Sequence, residues 1–157
     1  MKKIKILYLV SMLTAIFYLI GALSNFIFFD NIRAAINSVD DQLVYGSYNK
    51  YILSFQNLVI FSGLLVSIKC LQEIIKHGYF TESSKKLMRV AGYIFFFSGV
   101  LMTVLDIIRV QSGGDPNIMM GIILMDFMFT LLGFIVIIIA DMAQVGFRLK
   151  SENDLTI

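Results

Sequence analysis

Apolar residues gather into four long runs, at 6–29, 51–68, 90–108 and 118–140, and polar residues collect between them. A helix needs about 20 apolar residues to cross a bilayer core, and the single proline, Pro116, interrupts none of the runs. The pattern predicts an all-α fold: a polytopic membrane protein with four transmembrane helices in one domain over residues 1–157, helices 2, 3 and 4 extending into the cytoplasm. Residues 30–50 form an outer loop, 69–89 a cytoplasmic hairpin, 109–117 an outer turn, and 141–157 a cytoplasmic extension and tail. The first run follows Lys2, Lys3 and Lys5 as a signal peptide would, but it exceeds the ~7–15 apolar residues of a signal h-region. It therefore reads as a retained span. The fourth run carries Asp126. A central carboxylate costs about 3 kcal/mol, whereas each Leu, Ile, Phe or Val returns about 0.3–0.6. With 14 such residues in the run, insertion wins.

The polar connections have their own order. Ile32, Ala35, Ile36, Val39 and Leu43 recur at helical spacing in the outer loop, which predicts a short amphipathic helix at the interface. In the hairpin, Leu71, Ile74 and Ile75 continue the second helix past Lys69. Lys76 and His77 suit its last turn electrostatically, and Gly78 suits the left-handed position beyond it. Thr81 is an N-cap for the third helix, with Glu82 in its first turn. The two helices are expected to project together by ~13 Å (nine residues each) and reverse at 78–80. Met142, Val145 and Leu149 form an apolar stripe expected to join the fourth helix to this stalk.

Composition agrees with the membrane reading: 58% of residues are hydrophobic, 15% are charged, and the mean hydropathy is +0.82. Soluble domains carry about 25% charged residues. Ten lysines and arginines fall at the N-terminus, in 69–89 and after 141, against three (Arg33, Lys50, Arg109) on the other side. The positive-inside rule then places both termini in the cytoplasm. A net charge of +2 gives no reason to expect direct nucleic-acid binding. One cysteine (Cys70) and one histidine (His77) leave no redox pair or His/Cys metal set. No cofactor or metal is expected, and no nucleophile–base pair indicates an enzyme.

Two constellations are candidate sites. Asp126 lies ~12 Å inward from the start of its helix. Tyr18, Asn25, Asn57, Ser98, Thr103 and Asp106 fall at comparable depth, a candidate intramembrane polar cavity for a ligand or proton. Interhelical hydrogen bonding is the plainer account of these residues. Asp106 also lies one turn from Arg109, a spacing that predicts a local ion pair, and Asp141 is within reach of Arg148 or Lys69. The second candidate is the basic stalk. Lys76, His77, Tyr79, Phe80, Lys85 and Lys86 are residues for docking a cytoplasmic partner, or for attraction to anionic membrane lipids.

Residues 78–83 (GYFTES), 87–92 (LMRVAG) and the terminal 146–157 (GFRLKSENDLTI) resemble the motifs of a bacterial membrane family, domain of unknown function 2975 or YoaS-like. The family favours Asn or Glu where Ser83 and Ser84 stand. The resemblance implies a four-helix protein of no established activity, and a small helix-turn-helix regulator of the Xre type as its partner, since members are often encoded beside one. The resulting expectation is a membrane partner of that regulator. The alternatives are a small transporter or channel using Asp126, for which a homodimer is one form, and self-protection (immunity) against a membrane-active peptide through the 30–50 loop.

Overall fold

A computed structural model describes residues 2–36, 50–78, 81–111 and 116–154. They form four α-helices: α1 (Lys2–Ile36), α2 (Lys50–His77), α3 (Glu82–Gln111) and α4 (Pro116–Asp154). No strand occurs among the described residues. Each helix contains a stretch long and apolar enough to cross a membrane: Lys2–Ser24, Ser54–His77, Glu82–Ile108 and Met120–Gly146. Pro116 occupies the first helical position of α4, where its missing N–H leaves no intrahelical bond unmade. The 35 residues of α1 run without a break, so Ile32, Ala35 and Ile36 end the first helix instead of beginning a separate interfacial one. Val39, Leu43 and residues 45–49 lie outside the described residues.

The helices pack in series: α1 along α2, α2 along α3, and α3 along α4, the last contact being the most extensive. Among the described residues, no Cα of α1 comes within 8 Å of one in α3 or α4, nor any of α2 within 8 Å of α4. The backbones of the first and last members therefore stay apart. A small apolar core of Ile60, Ala91 and Phe95 draws in Tyr18, Leu64, Val66 and Phe129, so all four helices touch it. The Phe95 and Phe129 rings stack with centroids 6.4 Å apart. Large apolar side chains such as Phe17, Phe97, Met125 and Met128 are exposed, as expected where the outside of the bundle meets hydrocarbon.

The α3–α4 contact is close because glycines line it. A Cβ on Gly133 would run into the backbone N and Cα of Phe96 and the carbonyl of Gly92. A Cβ on Gly99 would meet the N and Oγ1 of Thr130 and the carbonyl of Asp126. Small residues that admit backbone-to-backbone approach are the usual means of helix association where no hydrophobic effect acts between spans. Between α2 and α3, Gly63 makes room for the Phe95 ring.

The α2–α3 connection follows its local chemistry. Gly78 takes φ +91° and donates its N–H to the Ile74 carbonyl at 3.0 Å, closing α2 in the left-handed manner that glycine allows. Thr81 caps α3: its Oγ1 accepts from the Ser84 N–H at 3.1 Å, while its own N–H donates to Ser84 Oγ at 3.4 Å. This is a reciprocal capping box, with Ser84 in the place usually held by Glu or Gln. Ser84 is fully buried, and its carbonyl accepts from Cys70 Sγ at 3.4 Å.

At the same end of the molecule Arg89 of α3 donates to Asp141 and Gln144 of α4. The partner of Asp141 is thus Arg89, not Arg148 or Lys69: α4 presents Asp141, the residue after the buried Ala140, toward α3. Met142, Val145 and Leu149 are 68%, 57% and 57% exposed. The expected packing of this stripe against the stalk therefore does not occur; the more covered residues here include Ala140, Ala143 and Gln144, and Gln144 is bonded to Arg89 of α3. Arg89→Ala is expected to cost at most about 1 kcal/mol of stability, because both partners are solvent-accessible and such pairs are weak. Hydrogen exchange across 141–150 should nonetheless quicken, while that of 120–135 stays unchanged.

Candidate intramembrane polar site

Polar side chains from all four helices converge on Asp126. Antiparallel packing of α3 on α4 puts Gly99 beside Asp126 and Thr130, which sets the register of the two helices. Helical side chains lean toward their own N-terminus. From antiparallel helices, Asp106 and Asp126 therefore lean toward each other, and the two meet side chain to side chain. Their residues are 0% and 5% exposed. From α2, Gln56 Nε2 donates to Asp126 Oδ1 at 2.7 Å. From α1, the half-buried Tyr18 faces Asp126 closely enough to interact with its charge. Thr103 Oγ1 and Thr130 Oγ1, one turn from Asp106 and Asp126 on their own helices, are buried without a hydrogen-bond partner among the described residues.

The residues expected to share this site divide into three sets. Tyr18, Asp106 and Asp126 are brought together, and Thr103 flanks them. Asn57 lies instead against α1, its Nδ2 3.6 Å from where a Cβ of Gly21 would stand. Ser98 is buried in the wall of a separate apolar groove of about 360 Å³ between α2 and α3, with Phe55, Val59, Tyr93 and Phe97. Of Asn25, only the helical backbone is described. Gln56 is the member that sequence reasoning missed. It adjoins Asn57, and the two differ by about 100° around the helix. The i, i+3 spacing of Asp106 and Arg109 pointed to an ion pair along α3, whereas the contact described here crosses to α4; the Arg109 side chain is outside those described.

In the second candidate region Lys76, His77 and Lys86 are exposed and Lys85 is half-buried. His77 Nδ1 lies 3.0 Å from Glu73 Oε2 one turn earlier. Tyr79 and Phe80 lie outside the described residues. No group of three His, Cys, Asp or Glu side chains is placed to hold a metal ion among the described residues.

What the arrangement does chemically is limited but definite. It offers two carboxyl groups in contact, one amide donor and one phenol, within apolar spans. That is an acid–base cluster with no nucleophile and no metal set among the described residues. A family model described as "Protein of unknown function (DUF2975)" matches residues 2–157, the whole of the described structure. No curated protein and no solved structure matches the chain.

Proposed function

We propose that this chain, which belongs to the DUF2975 family of proteins of unknown function, acts by protein contact and not by catalysis. It is a multi-pass membrane protein. In the proposed role it sits in the plasma membrane with both termini cytoplasmic, and holds a small cytoplasmic helix-turn-helix regulator, restraining or releasing it as the membrane changes. The carrying observation is the exposed stripe of Met142, Val145 and Leu149 on α4, beyond the ~34 Å that residues 118–140 cover as helix. In the proposed placement the fourth span ends near Ala140, ahead of the charged Asp141, so this stripe stands outside hydrocarbon, where protein contacts favour such anchors. Lys69, Lys76 and Lys86, exposed at the same end, supply a basic rim. The lysine and arginine asymmetry supports the cytoplasmic side. The kind of regulator rests on the family resemblance alone.

Copurification from detergent extract tests this reading. The wild-type protein should recover a small DNA-binding protein, and the triple variant Met142→Ser, Val145→Ser, Leu149→Ser should recover less than a tenth as much while unfolding at an unchanged temperature. No regulator with the wild type, or equal recovery by both, would count against it. Proton or cation transport is the second reading, favoured by the contact of Asp126 with Asp106 and Gln56. Flux into liposomes that collapses in Asp126→Asn would establish it instead.

A further inference from the structure

We propose that Asp106 and Asp126 hold one proton between them, and that this shared proton sets how α2 is held to the α3–α4 pair. This goes beyond the docking role and does not depend on it. Two ionised carboxylates are both acceptors, and neither can donate to the other. Their contact becomes a hydrogen bond only when one of them is the acid. Like charges at such range, both removed from water, do not persist together. Here the two groups are buried and belong to opposite walls of the tightest helix contact in the molecule.

The groups facing the pair are few. α1 presents Tyr18, α2 presents the Gln56 amide, and α3 and α4 present the two carboxyls. Arg109, one turn beyond Asp106, is the cation nearest to the pair in sequence. An Asp106–Arg109 ion pair is the rival arrangement, because it would let both carboxyls stay charged with no proton between them.

With one proton the pair carries a single negative charge, to which Gln56 donates. Loss of that proton puts a second charge beside the first. The glycine seam at Gly99 and Gly133 fixes the α3 and α4 backbones against one another. The repulsion therefore falls on the Asp126 side chain, which turns away from Asp106 and so from the Gln56 amide that ties α2 to α4. The consequence is a proton-dependent attachment of α2.

The test uses the full chain in detergent micelles or nanodiscs, with two readouts. Infrared spectra of the wild type at neutral pH should show the carbonyl band of one neutral carboxylic acid. Asp106→Asn and Asp126→Asn should each lack it, because the amide N–H replaces the shared proton. In unfolding titrations, the folded pair binds one proton more than the unfolded chain, so stability falls as pH rises. The unfolding constant of the wild type should grow by about tenfold per pH unit while the folded pair keeps its proton and the unfolded carboxyls are ionised, and level off once the folded pair loses it. The Asn variants, which keep the hydrogen bond without a titrating proton, should be flat. A wild type with no acid band and the same pH profile as Asp106→Asn would overturn the proposal. Appearance of the band in Arg109→Gln alone would then assign the charge balance to the ion pair.

Discussion

Gly133→Ala will loosen α3 from α4 and lower stability by about 3 kcal/mol, the upper part of the ~1–3 kcal/mol range that overpacking costs. The reason lies in what the added methyl meets. Its neighbours are the backbone N and Cα of Phe96 and the carbonyl of Gly92, atoms that no rotamer change can move. Gly63→Ala, by contrast, meets chiefly the side-chain rings of Phe95 and the tip of Ile94, and should cost less. Gly121→Ala is the control. Nothing lies within 4 Å of its Cβ position, so the better helix propensity of alanine, worth up to ~1 kcal/mol, leaves that variant neutral or slightly more stable. Reversible unfolding in mixed micelles measures all three. Equal losses at Gly133 and Gly121 would mean that the seam does not hold the helices.

Gln56→Leu will cost about 1–2 kcal/mol, near the top of the ~0.6–2 range for one interhelical hydrogen bond between spans. The 2.7 Å bond to Asp126 is the described link that joins α2 to α4 directly, and leucine leaves the carboxyl oxygen without that donor. Asp126→Asn keeps an acceptor for the Gln56 amide and should cost less than half as much. A double-mutant cycle of Gln56→Leu with Asp126→Leu should give a coupling energy of about 1 kcal/mol. Additive effects would show that the bond contributes nothing. Asn57→Leu, one residue along but turned toward Gly21, leaves this bond intact and serves as its comparison.

The four spans could be read from the chain because a run of about 20 apolar residues has few other uses. The α2–α3 reversal was equally readable. Gly78 and Thr81 act through their own backbone and side-chain chemistry, which depends little on distant residues. Facing was not readable. In a membrane helix the lipid side is as apolar as the inner side, so no amphipathic period marks the interior. Choosing Asn57 over Gln56 therefore had no physical basis until α2 was packed. The same limit applies to Asp106. The i, i+3 spacing of Asp106 and Arg109 is legible along one helix, while the contact of Asp106 with Asp126 depends on a helix register set by Gly99. For Met142, Val145 and Leu149 the period was read correctly, but a stripe says only that one face is apolar. It does not say that a neighbour covers it.

The uninterrupted run of α3 from its cap to Asp106 makes the helix a lever arm. Twenty-four residues separate Glu82 from Asp106, which is ~36 Å of helix. A tilt of about 5° of the seamed α3–α4 pair as one body, pivoting at the carboxyls, would swing the capped end by ~3 Å, roughly half a helical turn. Gly92 and Gly99 do not break the helix, and the Arg89 bonds to Asp141 and Gln144 would carry the end of α4 along. A change of a few tenths of an ångström beside Asp126 thus has a mechanical route to the far end, with the magnification set by helix length alone.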